Sequence, residues 1–419
     1  TSENIATHAQ STPGLRLFLG LLAVFLVLSV PSLLSDGLNI AKHEGDMLHL
    51  LDIVFRMADG QVPHRDFVTP IGAWAFAPIA AFVKAGFSIG AAMLYAQMAF
   101  ALAIMPAVWW TAHTRFEGVG GYAFAGLCMV FCLSLVYGEV QSTLSYSMHY
   151  NRWAWVLAFV AIALSILPAR QGRSEVDAAV IAMAMFALAM IKVTYFIAFA
   201  PAVLLGLFRQ AGARGFCIAF AIGLLAFAAM TALNGVGYRV SYLADLATVA
   251  ASEVRPAPGE SFGYTLAGPA FLGASLTALF GVIALRQGRK DNEGLLLMLL
   301  VPGFWYVTYQ NFGNDPQWLM LLALVLFAAR PAEGTKNGMG WDMRQTVGMT
   351  ALAALCFGLP SFFNLAYSPM RHMAVDVSVY VAILDADGLH SDLRSTPRRI
   401  YQNDIIVSAD GPETGLPLY

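Results

Sequence analysis

Long apolar runs recur along nearly all of the 419 residues, and this feature limits most strongly how the chain can fold. A run of about 20 apolar residues is long enough to cross the hydrocarbon core of a bilayer as a helix. Hydrophobic residues make up 58% of the chain and charged residues only 12%, whereas soluble domains carry roughly a quarter charged residues. The sequence therefore predicts an all-α polytopic membrane protein.

The apolar runs divide into about eleven predicted spanning helices, counting about 20 residues for each crossing. They cover residues 15–35, 89–112, 118–137, 151–168, 177–192, 194–208, 215–234, 268–285, 293–309, 316–330 and 346–366. The first run resembles a signal peptide in length, but no small-residue cleavage site follows it, and we interpret it as the first span.

Basic residues in the short loops predict the orientation, because short cytoplasmic loops are usually rich in Lys and Arg. A cytoplasmic N-terminus places the basic short loops inside; their residues include Arg115, Arg170, Arg173, Arg286, Arg289, Lys290, Arg330 and Arg344. The longer segments then lie outside, namely 36–88, 138–150, 235–267 and the tail 367–419. We expect a multi-pass protein of a bacterial inner membrane with a periplasmic C-terminus.

The stretch from Ile71 to Phe87 requires a separate interpretation, since it is apolar enough to be a span. Counting it as one would reverse every later loop and place several basic loops outside. Pro70, Pro78 and Lys84 also interrupt it. We therefore predict a helix lying at the outer interface, within a transmembrane domain of residues 1–366 that is followed by a small periplasmic tail or cap, 367–419. In that tail, Val375 to Leu384 alternates like a strand, and Arg398 to Val407 contains another short strand candidate.

The densest group of charges lies in the first outer loop, from Lys42 to Asp46. The residues that follow, up to Ala58, place their apolar side chains at the spacing of an amphipathic helix, which would be a second interfacial helix. Glu44 and Asp46 fall at its N-terminus, where acidic residues either stabilise the helix end or form part of a site, because clustered ionisable groups at a membrane face are functional candidates.

The loop continues with Gly60-Gln-Val-Pro-His64-Arg65-Asp66-Phe67 and a Pro/Gly-containing follow-on. An acidic residue opening the first outer loop, an amphipathic helix and a G-x-x-P-[YH]-R-D-F motif together resemble the GT-C class of integral-membrane glycosyltransferases, which use polyprenyl-phosphate sugars. The resemblance is specific over Glu44 to Trp74. His64 departs from the more common Tyr, and the C-terminal soluble domain of many relatives is reduced to a short tail.

The resemblance implies transfer of a sugar from a polyprenyl-phosphate carrier, with inversion, at the periplasmic face. The first acidic residue of the family serves as base or as a ligand of a divalent metal ion, Mg²⁺ or Mn²⁺; that role falls on Glu44, with Asp46 close behind. Asp66 is a further catalytic candidate, or it pairs with Arg65 and fixes the loop. A base would take the proton of an acceptor hydroxyl, and cations or a metal would stabilise the leaving phosphate.

Further polar residues predicted on the outer side are candidates for the same site. Arg152 lies at a helix N-terminus, where the dipole disfavours it; it either contacts phosphate or extends to the interface. Lys192 lies between two apolar runs, where an unpaired Lys would be costly. The complete set of donor-binding candidates is His64, Arg65, Arg152, Lys192 and Arg239, with His149 and Glu139 as additional candidates.

Two other classes of function stay open at this point. A transporter or lipid flippase would place charges at mid-membrane and show repeat symmetry. A non-catalytic subunit of a larger membrane complex would keep a glycosyltransferase-like fold without activity. The net charge of −2 argues against nucleic-acid binding. The expected partners are the polyprenyl-phosphate sugar, membrane lipid and an acceptor glycan, lipid or protein.

Overall fold

A computed structural model describes residues 13–136, 138, 142–251, 261–311, 316–384 and 386–401. The described chain is mainly helical. Its α-helices are α1 (Pro13–Leu34), α2 (Glu44–Ala58), α3 (Ala77–Lys84), α4 (Ile89–Arg115), α5 (Val119–Leu133), α6 (His149–Ile166), α7 (Ser174–Ile191), α8 (Val193–Ala250), α9 (Phe262–Ala267), α10 (Pro269–Gln287), α11 (Asp291–Gln310), α12 (Trp318–Ala328), α13 (Met343–Met373) and α14 (Pro397–Tyr401). Three short strands join them, β1 (Leu38–Asn39), β2 (Val381–Ala382) and β3 (Leu393–Ser395).

Helices cover every range that the sequence predicts as a span. In the described part of the chain, six of them are long and apolar enough to cross a membrane: α1, α4, α7, α8, α10 and α13. The class of an all-α membrane protein is therefore confirmed. The count of about eleven crossings stays a prediction, because α5, α6, α11 and α12 fall short of the same criteria of length and apolarity.

Helix α8 does not run straight for its 58 residues, because Gly212 and Gly235 interrupt it with positive φ angles of 62° and 83°. A straight helix would carry Tyr242 roughly 75 Å from the start of α8, at 1.5 Å per residue. Instead the Tyr242 hydroxyl donates to the carbonyl oxygen of Ala189 at 2.9 Å. The chain therefore folds back and returns its last segment, 236–250, to the end of the bundle where α7 finishes.

The first outer loop contains two helices, as predicted. Helix α2 begins at Glu44 and buries Met47, Leu50 and Val54 on one side. The stretch from Ile71 to Phe87 forms a short 3₁₀ turn followed by α3, which has only 8 residues. At 1.5 Å per residue this helix is far too short to cross a hydrocarbon core of about 30 Å.

The described part of the tail joins the first outer loop in one small sheet. Strand β3 pairs in parallel with β1 and antiparallel with β2, in the order β1-β3-β2. Of the range 375–384, in which an alternating pattern predicts a strand, only Val381–Ala382 forms one, as β2, and Val377–Val379 forms a 3₁₀ turn. The second short strand is predicted within Arg398 to Val407; residues 398–401 belong to α14, and the rest of that range lies outside the described residues.

Helix α6 is the central element of the bundle. Almost every residue from Asn151 to Ile166 is buried, and the Trp153 indole stacks on Phe100 with ring centroids 4.4 Å apart. The N-terminus of α6 meets the first outer loop, so polar residues there are enclosed by protein and do not face lipid.

Candidate functional site

The two acidic residues at the start of α2 bind different parts of the protein. Glu44 accepts hydrogen bonds from Arg399 Nε at 3.0 Å and from Ser395 Oγ at 3.1 Å. Asp46 accepts one from Ser147 Oγ at 2.7 Å. The N-cap residue is His43, and it makes no side-chain capping bond. Each carboxylate therefore links α2 to another segment, in addition to any favourable interaction with the helix dipole.

This arrangement does not suit a shared metal ion. Glu44 points to the tail, Asp46 points to the segment before α6, and a divalent cation would need several oxygen ligands that converge on one point. Within the described residues, no group of three or more His, Cys, Asp or Glu side chains is placed to hold a metal. The metal role predicted for Glu44 and Asp46 stays a prediction.

His64 is buried and joins the loop to α8. It adopts a left-handed backbone conformation with φ 67°, and its Nδ1 lies 2.9 Å from Asp245 Oδ2. The same carboxylate oxygen accepts the Thr69 backbone N–H at 3.2 Å. Burial lowers the pKa of His64, although Asp245 acts in the opposite direction. The donor-binding role predicted for His64 would have to act from this enclosed position.

Arg65 and Asp66 form an ion pair, which is one of the two roles predicted for Asp66 from the sequence. Arg65 donates to both carboxylate oxygens, at 3.1 and 3.0 Å, and Asp66 also accepts the Val62 backbone N–H at 2.7 Å. The Arg65 guanidinium and then the Val62 N–H lower the pKa of Asp66. A carboxylate with these partners stabilises the turn and is a poor proton acceptor.

Lys192 lies at the junction of α7 and α8, where its extended backbone separates the two helices. The Lys192 ammonium donates to the amide oxygens of Asn151 at 2.8 Å and Asn311 at 2.7 Å, and it lies 5.3 Å from the centre of the Tyr150 ring. These two amide oxygens orient the ammonium. Lys192 is half-buried and forms a polar cluster with Tyr150 and Asn151 of α6 and Asn311 at the end of α11. We call this group the lysine cluster.

The first outer loop covers this lysine cluster. The Gly72 N–H donates to the carbonyl oxygen of Ile191 at 3.0 Å, and a Cβ atom at Gly72 would lie 2.0 Å from the carbonyl oxygen of Met190. Only glycine therefore allows such close contact between the loop and the end of α7. The contact places the Pro/Gly-containing part of the motif directly beside Lys192.

His149 and Arg152 are enclosed at the start of α6. The His149 Nε2 lies 2.8 Å from the carbonyl oxygen of Ala75, so this ring attaches the first outer loop to the start of α6. Arg152 is 1% exposed and donates to the carbonyl oxygen of Val136 at 2.8 Å. Arg152 therefore does not extend to the interface, and the structure does not present it at a surface where a phosphate would arrive.

Arg239 lies away from the lysine cluster, and among the described residues it has no hydrogen bond or ring contact with Lys192. The Arg239 guanidinium lies over the Phe227 ring, which is possible because the chain bends at Gly235. Glu139 lies outside the described residues, and its predicted role stays a prediction.

An apolar groove in the side of the bundle ends one residue before Lys192 in the sequence, and neither Lys192 nor its amide partners are among the residues that line it. Its volume is about 840 Å³. It lies between α3, α4 and α7; its lining includes Trp74, Pro78, Ala103, Ala107, Val180, Ala187 and Ile191. The groove ends beside Ile191, the residue directly before Lys192. Glu44, Asp46 and Asp66 are not among the residues that line it.

Two residues that complete this region were missed by sequence reasoning. Asp245 lies in a segment predicted as loop, but the structure has it on helix 236–250, against His64. Arg399 lies in the tail and binds Glu44. A helical pattern in 236–250, with Tyr238, Tyr242 and Asp245 at spacings of four and three, could have indicated the first; no local signal indicated the second.

Comparison with known proteins gives no family: no protein-family model, curated protein or solved structure matches this chain. The fold and the polar cluster therefore define an all-α membrane protein with an enclosed lysine site at one end of its bundle.

Proposed function

We propose that this protein is a glycosyltransferase that moves a sugar from a polyprenyl-phosphate carrier to an acceptor at the periplasmic face of the inner membrane. The observation that carries the proposal is the apolar groove between α3, α4 and α7, which ends at Ile191, the residue directly before Lys192 in the sequence. Such a donor carries a lipid chain and a phosphate in one molecule. The apolar groove would hold the chain, and Lys192 would bind the phosphate.

The groove fits a long hydrocarbon chain. Along α7 it extends from Val176 to Ile191, which is about 22 Å at 1.5 Å per residue. A chain held along that length would bring its phosphate to the end of α7, where the loop residues Trp74 and Pro78 also line the groove. Burial of apolar area supplies roughly 25 cal/mol per Å², so the prenyl chain would provide much of the affinity.

Lys192 is the group we assign to the carrier phosphate. Its ammonium donates to two side-chain amide oxygens, which fix its position. In the transfer step the bond between the sugar carbon and the phosphate oxygen breaks, and the phosphate gains negative charge. A cation fixed beside that oxygen lowers the barrier because it interacts most strongly with the transition state.

Asp46 is the better of the two carboxylates for taking the acceptor's proton. It is exposed and receives one hydrogen bond, from Ser147, and Ser147 is only four residues from Asn151, which binds Lys192. Glu44 is held in an ion pair with Arg399 at 3.0 Å. We therefore assign proton transfer to Asp46 and attachment of the tail to Glu44.

The experiment incubates the purified protein with a panel of polyprenyl-phosphate sugars and measures donor consumption. We expect Asp46→Asn to lower the rate by about 100-fold or more, as for loss of a general base, and Lys192→Met to lower it strongly. Asp52→Asn is the matched control, because Asp52 lies on the same helix and pairs only locally with Arg56. Absence of turnover by the wild type, or equal rates for Asp46→Asn and Asp52→Asn, would refute the proposal.

The second candidate is a non-catalytic subunit of a larger membrane complex. Glu44 and Asp66 are each paired with an arginine. These pairs favour a non-catalytic role, since a catalytic carboxylate needs an accessible oxygen. This alternative predicts no donor consumption with any sugar, and co-purification of a partner that is lost when the loop and tail are altered.

A further inference from the structure

A second large cavity lies at the opposite end of the bundle from the first outer loop. Helix α4 starts beside the tail at Ile89 and ends at Arg115; its 27 residues give a length of about 40 Å. The cavity, of about 910 Å³, opens there between α5, α12 and α13. It shares no lining residue with the groove that ends at Ile191.

Most of this cavity is apolar. Gly120, Ala123 and Gly126 form one wall on α5, and Phe327, Leu355 and Phe362 lie on the facing helices. A Cβ atom placed at Gly126 would have no heavy atom within 4 Å, so the space at this wall is open. From Arg344 to Phe362 along α13 the cavity extends for about 27 Å, close to the thickness of a hydrocarbon core of about 30 Å.

The end of the cavity is strongly basic. Arg115, Arg170, Arg330 and Arg344 line it, together with a single acidic residue, Glu117. Arg170 pairs with Glu117, but both side chains are largely exposed. Arg344 reaches Glu333 only at 4.0 Å, and Glu333 is 88% exposed. Surface pairs of this kind contribute little energy and yield readily to a competing anion.

Arg115 provides an independent indication of a ligand. Its side chain is 1% exposed and pairs with Asp177 at 2.6 Å, yet its buried Nε has no hydrogen-bond partner among the described residues. A buried donor of this kind normally has a partner. Since Arg115 lines the cavity, an acceptor entering the basic end could supply the missing bond.

We propose that this cavity binds one anionic phospholipid, with its acyl chains along α5, α12 and α13 and its phosphate at Arg330 and Arg344. A free phosphate would use the arginines but not the apolar wall, and a zwitterionic lipid would use the wall without supplying net negative charge. This cavity is separate from the site proposed for sugar transfer. It would hold a structural or regulatory lipid at the other face of the membrane.

Native mass spectrometry of the full chain, released from detergent after incubation with equal amounts of phosphatidylglycerol and phosphatidylcholine of identical acyl chains, tests the proposal. We expect one phosphatidylglycerol to be retained in preference. Each arginine near an anionic headgroup contributes about fivefold in affinity, so the double variant Arg330→Gln, Arg344→Gln should reduce the preference by about 25-fold. Glycerol phosphate should not displace the lipid.

Two further variants separate lipid binding in this cavity from a general effect of surface charge. Gly126→Trp fills the open space and should remove retention of both lipids, while a melting curve shows that the protein still folds. Arg209→Gln with Arg214→Gln is the matched control, because these residues lie at the same end but contact Asn292 and Glu175 outside the cavity. Equal retention of both lipids by the wild type, or equal effects of the two double variants, would overturn the proposal.

Discussion

At the scale of single residues, His64 has the most unusual environment in the first outer loop. Its ring lies 4.4 Å from that of Tyr242, measured between centroids, its Nδ1 contacts Asp245, and its backbone is left-handed. The motif suggested that this position contacts the donor. In the structure this residue joins the loop to α8, a contact that the sequence could not reveal because the partner is 181 residues away; the predicted donor contact stays a prediction.

The His64 environment predicts a dependence of stability on pH. Burial lowers the pKa of His64 in the folded protein below 6.5, so the unfolded chain binds the proton more readily. By linkage, this group's contribution is complete above the unfolded pKa and is lost as the pH falls from about 6.5 through the folded pKa. We expect the melting temperature to fall between pH 7.5 and 5.5, and to fall less in His64→Asn, since asparagine tolerates a left-handed backbone.

The matched control for this prediction is His49→Asn, on the exposed side of α2 in the same loop. Its melting curve should follow the wild type across the pH range. If His64→Asn shows the same loss on acidification as the wild type, another group carries the effect.

At the scale of elements, the tail and the first outer loop behave as one unit. Asp392 accepts hydrogen bonds from Ser88 Oγ and from the backbone N–H groups of Gly90 and Ala91, at 2.7 to 3.0 Å. It therefore caps α4 from 300 residues away in sequence, a role that Ser88, the N-cap residue, does not perform with its own side chain.

Removal of this cap should loosen the tail and the start of α4 together. We expect Asp392→Ala to lower the free energy of unfolding by about 1–3 kcal/mol, since it leaves buried donors without a partner, and to speed trypsin cleavage at Arg398 and Arg399. Melting curves and timed digestion in detergent measure both effects. Asp376→Ala is the control, because Asp376 caps only its own short turn in the tail. Identical digestion rates for the two variants would exclude the capping role.

Helices were predictable from sequence in a way that the loop and tail contacts were not. Each long apolar run carries its own signal, and the Asp52–Arg56 pair on α2 followed directly from its spacing of four residues. Strands β1 and β2 have two residues each, too few for a recognisable alternation, and β1 pairs with β3 across 355 residues. Segment 236–250 was predicted as part of an outer loop because Arg239 and Asp245 interrupt its apolar residues and a Pro/Gly-containing stretch follows it.

At the scale of the whole molecule, two cavities occupy different sides of the bundle. One ends at Ile191, the residue directly before Lys192 in the sequence, and the other ends among arginines at the far end. The basic loops predict that the far end is cytoplasmic. The proposed transfer reaction therefore depends on the loop end facing the periplasm.

Cysteine labelling in cells tests that orientation. In a background with Cys128, Cys132, Cys217 and Cys356 replaced by alanine, we expect Asp59→Cys in the first outer loop to react with a membrane-impermeant maleimide in cells whose outer membrane alone has been opened. Lys336→Cys, between α12 and α13, should react only after the inner membrane is disrupted. The reverse pattern would place Lys192 on the cytoplasmic side and exclude periplasmic transfer.

The most direct measurement of the central claim is photo-cross-linking with a polyprenyl phosphate that carries a diazirine in its prenyl chain. If the groove between α3, α4 and α7 guides the carrier to Lys192, labelled peptides should come from α4 and α7, and Ala103→Trp should reduce labelling about tenfold or more by filling the groove. Leu102→Trp, on the same helix but outside the groove lining and 49% exposed, should label as the wild type does. Labelling spread evenly over the lipid-facing helices, or unchanged in Ala103→Trp, would contradict a carrier site in this groove.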